Sequence, residues 1–253
     1  MPTFQLLSDL HFEFHHDQGA RFLNELDPEG VDCLLLAGDI CTIRQMDFAI
    51  RGFSAKYPRV LMTTGNHEYY GSSPAEVHGL LSGLTTELDN FTWLRNDVAD
   101  VGGVKVAGTT LWFENFRKNK KYKHGMNDFH QIREFVPWVF DENTLAQAFL
   151  NRVAGDVDII MTHHMPHPEC VSLRYRVGQA APYNRYFCCD MSALINEKQP
   201  SVWTFGHTHD RKDFLVGSTR LLSNPKGYPH EREFPERGSY QPKLTFEVSR
   251  QGE

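Results

Sequence analysis

The sequence predicts an α/β fold, because short apolar runs are separated by longer stretches with helical spacing of apolar residues. Five of the runs are continuously apolar rather than alternating, which is typical of strands that are covered on both faces. Asp, Asn or His follows the last apolar residue of each run within a few positions. The expected strands span residues 3–7, 31–37, 60–63, 157–161 and 202–205.

Helices and hairpins account for most of the chain between these strands. The clearest helix start lies at Ser73, which can act as the N-cap, with Pro74 as the first helical residue and Glu76 as the capping-box partner. The expected helices span residues 47–55, 73–84, 142–153 and 189–197. Hairpins with a glycine at the turn are expected over residues 101–111 and 215–222, and a last strand over 243–248.

A single domain over residues 1–253 is the natural interpretation of the length, since one α/β unit reaches about 250 residues. Two segments, residues 113–141 and 166–186, are rich in charged and aromatic residues but poor in periodic signals. Long irregular segments in compact domains usually form lids or binding loops. We therefore expect these two insertions to shape a substrate cleft.

Composition excludes several classes of protein. The net charge of −6 and the pI near 6.1 disfavour binding of long nucleic acids, although bound cations could still attract a phosphate group. The mean hydropathy of −0.46 and the absence of an apolar run of about 18 residues argue against a membrane protein. The first residues lack the pattern of an export signal, and the five cysteines lack a disulfide spacing, so a cytoplasmic protein with reduced thiols is expected.

Side chains that can bind metal ions follow all five expected strands. Because ligands gather at the carboxyl ends of strands in open α/β sheets, we expect these side chains to converge. In an extended segment, residues i and i+2 point the same way, so the D-x-H and H-x-H spacings can each direct two side chains to one site. The set comprises Asp9, His11, Asp39, Asn66, His67, His163, His207 and His209.

The chemistry of this set points to two divalent cations. Oxygen ligands mixed with imidazoles suit Mn²⁺, Fe²⁺ or Zn²⁺, and the lack of a cysteine among them argues against a structural zinc site. One ion would not use so many ligands, whereas two ions sharing a carboxylate would. Two ions about 3.5–4 Å apart can generate hydroxide and clamp both oxygens of a phosphoryl displacement.

Five motifs in this order resemble the calcineurin-like metallophosphoesterase superfamily. They are Asp9-Leu10-His11, Gly38-Asp39, Gly65-Asn66-His67-Glu68, Thr162-His163-His164 and Gly206-His207-Thr208-His209. Residues 7–14, 126–129 and 224–228 further resemble a bacterial branch that is described only as predicted phosphohydrolases. The resemblance implies a four-layer αββα sandwich, in which two mixed β-sheets are flanked by helices.

The resemblance also implies roles for the site residues. The first ion would be held by Asp9, His11 and His209, the second by Asn66, His163 and His207, with Asp39 bridging them. A hydroxide bridging the two ions would attack phosphorus in line, and His67 would contact the phosphate and protonate the leaving alkoxide. His163 directly follows its strand and is the expected ligand, whereas His164 would face the substrate or support the site from behind.

At two positions, the sequence differs from other branches of this superfamily, and both differences bear on the expected activity. Thr42 stands where purple acid phosphatases carry an iron-binding tyrosine, and Arg44 is displaced by one residue from the phosphate-binding arginine of Ser/Thr protein phosphatases. The first difference implies that no tyrosinate–iron site is present, and the second disfavours protein phosphatase activity and makes Arg44 a weak candidate for phosphate contact. Side chains of the irregular segments could contact the substrate, with arginine suited to phosphate and Tyr183 or Tyr186 suited to stacking on a base. The candidate substrate contacts are Asn127, Asp128, Arg133, His164 and Arg185.

The sequence thus predicts a metal-dependent phosphoric ester hydrolase that acts on a small phosphomonoester or phosphodiester, with nucleotide-like esters among the candidates. A nuclease of the same superfamily is one alternative, but it would normally bring a basic domain or a coiled coil, and neither is visible. A non-catalytic scaffold on the same fold is another, and it would be expected to have lost ligands or His67. The sequence carries no signal of oligomeric state.

Overall fold

The computed structural model describes residues 1–116, 122–233 and 240–248. Eleven strands and six α-helices are found within these ranges. The strands are β1 (Thr3–Leu7), β2 (Cys33–Ala37), β3 (Val60–Thr63), β4 (Phe91–Trp93), β5 (Asp97–Val101), β6 (Val104–Gly108), β7 (Ile159–Met161), β8 (Val202–Thr204), β9 (Lys212–Val216), β10 (Thr219–Ser223) and β11 (Thr245–Glu247). The helices are α1 (Ala20–Glu25), α2 (Ile43–Ser54), α3 (Pro74–Glu87), α4 (Asp128–Gln131), α5 (Phe135–Val153) and α6 (Ser192–Lys198).

The strands form two mixed sheets. The first has the order β11-β1-β2-β3-β4 and is parallel except for β11. The second has the order β5-β6-β7-β8-β10-β9, with a parallel centre and an antiparallel strand at each edge. With helices against the outer faces, this is the predicted four-layer α/β sandwich, and that prediction is confirmed.

Alternate residues of the central strands serve two different cores. Leu35 of β2 packs between the sheets with Phe4 of β1 and Ile159 of β7. Its neighbours Leu34 and Leu36 face the other way, into the core formed with the helices that cover the first sheet. Both faces of β2 are therefore buried, which explains why its sequence is continuously apolar.

Several predicted elements begin or end elsewhere in the structure. The helix expected over residues 142–153 begins at Phe135, because Phe135 and Val139 are buried in the aromatic core, where packing overrides a weak local signal. Strand β4 and helix α1 were not expected, since three and six residues are too few to give a clear period. The capping box at Ser73 is confirmed, with the Ser73 amide donating to Glu76 Oε2 over 2.7 Å.

The two irregular segments are only partly irregular. The segment 113–141 contains α4 and the start of α5, and its residues 117–121 lie outside the described part of the chain. The segment 166–186 consists of loops with three short 3₁₀ turns. All five cysteines are free, as expected. Among the described residues, no helix has both the length and the apolarity needed to cross a membrane.

Candidate metal centre and cleft

Seven candidate ligands meet where the carboxyl ends of five parallel strands reach the seam between the sheets. They follow β1 (Asp9, His11), β2 (Asp39), β3 (Asn66), β7 (His163) and β8 (His207, His209). Their ligand atoms form two groups that could each hold a metal ion, and Asp39 is common to both. The first group contains Asp9, His11 and His209, and the second contains His163 and His207. Asn66 joins the second group, since its Oδ1 lies 3.2 Å from His163 Nε2.

The backbone at most of these positions is left-handed, a conformation that residues other than glycine rarely adopt. The φ angles are 51° at Asp9, 52° at His11, 56° at Asp39, 66° at His207 and 50° at His209. The extended conformation expected for the D-x-H and H-x-H motifs is therefore wrong. The chain instead turns sharply out of each sheet, and such strain in a folded protein typically accompanies a functional site.

Two glycines make room for the ligands. Gly38 has a φ of +82°, and a Cβ built on it would lie 2.5 Å from His163 Nδ1. A Cβ on Gly65 would collide with Asp39 Oδ1 and lie 2.7 Å from His163 Nε2. The backbone therefore approaches the candidate ligands more closely than any larger residue would allow.

Hydrogen bonds fix the orientation of three imidazoles. The Nδ1 atoms of His11, His163 and His209 face Glu13 Oε1 at 3.1 Å, the Ala37 carbonyl at 2.9 Å and Glu231 Oε2 at 2.6 Å. Because these oxygens accept, each Nδ1 carries a proton, and each ring can offer its Nε2 lone pair to a metal ion once Nε2 itself carries none.

The inward-facing atoms fit a divalent ion. His11 Nε2 and His209 Nε2 lie 3.0 Å apart, which is about the separation of two ligands at right angles on an ion with bonds of about 2.1 Å. Asp9 Oδ2 is buried and has no hydrogen-bond partner among the described residues. A cation would satisfy both the facing lone pairs and this oxygen.

Electrostatic interactions already favour the ionised form of Asp39. Burial opposes charge on Asp39, but the imidazoles of His163 and His67 hold the pKa of this carboxyl well below its usual range. Burial likewise opposes protonation of His163, yet Asp39 raises the pKa of His163 to about 9. The proton on His163 places positive charge beside Asp39, as a bound ion would. Ion binding should therefore release this proton.

His67 lies beside the metal centre and is held on both sides of its ring. Its Nδ1 lies 2.7 Å from Glu13 Oε1, and its Nε2 lies 3.2 Å from the Tyr228 hydroxyl. Its backbone amide donates to Asp39 Oδ1 over 2.9 Å. Burial lowers the pKa of His67, but the carboxylates of Asp39 and Glu13 outweigh it and raise this pKa to about 9.

A cleft of about 510 Å³ opens above these residues. Asp39, His67 and His207 lie at its base, and the two irregular segments supply most of its walls. The walls include Tyr70, Gly125, Met126, Asn127, Asp128, Met165, Val171, Ser172, Tyr175, Ala180, Tyr183, Asn184, Phe187, Thr208, Tyr228 and Glu231.

Asn127 and Asp128, two of the predicted substrate contacts, thus border the cleft. Asp128 also accepts hydrogen bonds from Asn66 Nδ2 over 2.9 Å and from the Tyr70 hydroxyl over 2.7 Å, so it orients a candidate ligand.

The other three predicted substrate contacts lie elsewhere, outside the described lining of the cleft. Arg133 forms a surface ion pair with Glu76. Arg185 donates to the Pro182 carbonyl over 2.7 Å and lies over the ring of Tyr122. His164 is fully buried behind His207, with 4.5 Å between their ring centroids.

Sequence reasoning missed several residues that support the site. Glu68 accepts backbone N–H groups of Asp39, Ile40 and Gly65 over 3.0, 2.7 and 2.6 Å, which ties the loop after β2 to the loop after β3. Glu13, Glu68 and Tyr228 all lie within stretches that resemble other phosphohydrolases, and this could have drawn attention to them. Glu231 lies in a segment without any periodic or motif signal.

Comparisons with known proteins concern the family and the fold of the chain. A family model described as calcineurin-like phosphoesterase matches residues 3–211. An uncharacterized protein, L509, from Acanthamoeba polyphaga mimivirus is 27% identical over 92% of this chain and 93% of its own length. The UPF0046 protein K07C11.7 from Caenorhabditis elegans is 24% identical over 86% of this chain and 67% of its own length.

Two solved structures share the fold. A phosphopantetheinyl hydrolase from Mycobacterium tuberculosis superposes with a TM-score of 0.76 at 15% identity, covering 97% of this chain and 95% of that one. A dimetal phosphatase from Danio rerio superposes with a TM-score of 0.50 at 14% identity, covering 88% and 86%. At sequence identities this low, the superpositions show a shared fold alone.

Proposed function

Because the chain belongs to the calcineurin-like phosphoesterase family, we propose that it hydrolyses a small phosphate ester with the help of two divalent cations. One observation carries the proposal: two groups of candidate ligands share Asp39 directly beside His67 at the base of a cleft. Asp9, His11 and His209 would hold one ion, Asn66, His163 and His207 the other, and Asp39 would contact both. When bound, such ions lower the pKa of water and neutralise phosphate oxygens.

The chain's own residues would hold the ester and move a proton. His67 faces the cleft through Nε2, where the Tyr228 hydroxyl now lies 3.2 Å away. An ester oxygen at that position would receive the proton from Nε2 as its bond to phosphorus breaks. General acid catalysis of this kind is worth about 10²–10⁴-fold, and most for poor leaving groups.

The walls of the cleft favour a small ester with a flat or apolar substituent. Tyr175, Tyr183 and Phe187 offer aromatic surface. The described lining residues include three carboxylates, Asp39, Asp128 and Glu231, but no lysine or arginine. This lining favours a nucleotide-like monoester or diester over a long polyanion. It also disfavours the nuclease alternative.

Metal content and a substrate panel test the first part of the proposal. We expect purified protein to bind about two equivalents of Mn²⁺ and to hydrolyse members of a panel of nitrophenyl phosphate, its bis-ester and cyclic nucleotides. A phosphopantetheinyl ester belongs in the panel because of the name of the structural neighbour from Mycobacterium tuberculosis. A chain that binds no divalent ion would support the scaffold alternative instead.

Replacing His67 tests its role as the acid. In His67→Ala, kcat with Mn²⁺ should fall about 10-fold on nitrophenyl phosphate and at least about 100-fold on phenyl phosphate, whose leaving group needs the proton more. His16→Ala, a change at an exposed histidine, serves as the matched control. Unchanged turnover of His67→Ala on both esters would contradict the assignment.

A further inference from the structure

Glu13 connects the candidate metal centre to the candidate acid. Its Oε1 atom lies 3.1 Å from Nδ1 of His11 and 2.7 Å from Nδ1 of His67. The two imidazole rings are in contact, with 4.4 Å between their centroids and an edge-to-face angle of 71°. One carboxylate oxygen therefore receives both N–H groups, and it fixes which nitrogen His11 presents to the candidate metal centre and which nitrogen His67 presents to the cleft.

The backbone holds this carboxylate in place. Glu13 lies in a short 3₁₀ turn (Phe12–Phe14) that begins directly after the left-handed His11, and Phe14 N donates to the His11 carbonyl over 2.9 Å. The preceding residues are tied to the loop after β2, since His11 N donates to the Asp39 carbonyl over 3.1 Å. The Glu13 side chain is 11% exposed, so bulk water competes little with the two imidazoles.

We propose that Glu13 is a positioning residue that sets the orientation of the acid His67 and of the ligand His11 through one oxygen atom. The proposal rests on the proposed function, because it assumes that His67 is the proton donor. Without Glu13, the His67 ring could rotate about its bond to Cβ, and Nε2 would no longer be held towards the leaving oxygen. The loss would then depend on the leaving group, as a defect in the acid should.

A second carboxylate offers a matched control. Glu231 Oε2 lies 2.6 Å from Nδ1 of His209, a ligand of the same candidate ion as His11. Glu231 Oε2 also accepts from the Tyr228 backbone amide over 3.0 Å, whereas Glu13 reaches the His67 ring itself. Glu13→Gln and Glu231→Gln should therefore both weaken metal binding through one histidine, whereas only Glu13→Gln should disturb His67.

The first measurement is kcat at saturating Mn²⁺ on aryl phosphates of decreasing leaving-group acidity. Glu13→Gln should lose about 10-fold on nitrophenyl phosphate and about 100-fold on phenyl phosphate, and Glu231→Gln should lose the same factor on both. Glu13→Asp keeps the charge but shortens the side chain, so it should repeat the pattern more weakly if Glu13→Gln fails to fold. A uniform loss in Glu13→Gln would overturn the proposal.

A readout independent of turnover separates this proposal from the proposed function. In Zn²⁺-loaded protein, the downfield proton resonance of the His67 ring N–H, assigned by its absence from His67→Ala, should move or broaden in Glu13→Gln and persist in Glu231→Gln. An unchanged resonance in Glu13→Gln would overturn the proposal even in an active enzyme. If the wild type hydrolyses no ester, the proposed function fails, and this spectrum alone decides the role of Glu13.

Counting the bound metal ions tests whether Glu13 is itself a metal ligand. His11, Glu13 and His67 lie close enough together to hold an ion themselves. We expect wild type and Glu13→Gln to bind the same number of Mn²⁺ ions, with weaker affinity in the variant. A third equivalent that is lost in Glu13→Gln would make Glu13 a ligand and would overturn the proposal.

Discussion

At the residue scale, the packing around Asp39 leaves no room for an additional methyl group at Gly65. Gly65 lies in contact with the carboxylate of Asp39 and with the ring of His163, which is why its Cβ would overlap both. The two loops involved are also joined through Glu68. Any added atom at Gly65 must therefore displace a candidate ligand rather than the backbone.

We expect Gly65→Ala to abolish most metal binding while the fold persists. The displaced Asp39 carboxylate is shared by both groups of candidate ligands, so affinity for Mn²⁺ should fall by at least about 10-fold, measured by calorimetry. Gly79→Ala is the matched control, because a Cβ there meets open space within α3 and should stabilise the helix by up to about 1 kcal/mol. Wild-type affinity in Gly65→Ala would contradict the geometry.

Individual ligand candidates could be recognised from the sequence because each follows a buried strand, and the structure brings all seven together. Their backbone conformation could not be predicted, since left-handed φ angles at Asp9 or His207 depend on contacts made only in the folded chain. The carboxylates behind the histidines were missed for a related reason. Glu231 is far from any strand end, and only the tertiary fold places it against His209.

At the scale of elements, helix α3 places His78 in a cluster of aromatic rings. The His78 ring lies 5.2 Å from Trp93 of β4 and 5.9 Å from Trp138 of α5, and its Nε2 is 3.2 Å from the Tyr69 hydroxyl. Burial, aided by the positive charge of Arg95, lowers the pKa of His78 to about 4. The folded chain therefore holds this ring in its neutral form.

Acid should destabilise the protein through His78. The unfolded chain takes up this proton near pH 6.5, whereas the folded chain does so only near pH 4, so stability is complete above pH 6.5 and falls as the pH drops between these values. From pH 8 to pH 5, the pKa shift alone would lower the free energy of unfolding by about 2 kcal/mol more in wild type than in His78→Gln. Because the His78 ring is only partly buried, we expect about half of this difference. Urea titrations of both, with His16→Gln as a surface control, measure the difference. Parallel curves for wild type and His78→Gln would contradict it.

Elements with a strong periodic pattern could be predicted, and short ones could not. The central strands were found because both of their faces are buried, which leaves a continuous apolar run. Strand β4 has three residues and gains its order from pairing with β3. Helix α5 begins at Phe135 because this side chain packs in the aromatic core, and the spacing of apolar residues in the sequence does not reveal that contact.

At the scale of the whole molecule, each group of candidate ligands spans the seam between the sheets. The first combines Asp9 and His11, after β1, with His209, after β8. The second combines Asp39, after β2, with His163 and His207, after β7 and β8. The location of this seam follows from the sandwich, but the cleft above it is built from irregular segments, so the substrate could not be predicted.

Bound ions should raise the thermal stability of the entire domain. At an Mn²⁺ concentration about 100 times Kd, each ion that binds only the folded state adds about 2.7 kcal/mol, or about 5–10 °C in Tm for a domain of this size. Differential scanning fluorimetry with Mn²⁺ and with EDTA measures the shift, and His163→Gln should reduce it. A Tm independent of Mn²⁺ would contradict binding across the seam.

The placement of the ligands on two sheets also has a kinetic consequence. Neither sheet alone carries a complete set of ligands, so a divalent ion can bind tightly only after the sheets have packed against each other. The ion would then lower the energy of the native state without lowering that of the folding transition state, and its stabilisation would appear as slower unfolding. The supply of metal would thus set how long a folded molecule lasts, while the rate at which new chains fold would depend on the apolar core alone.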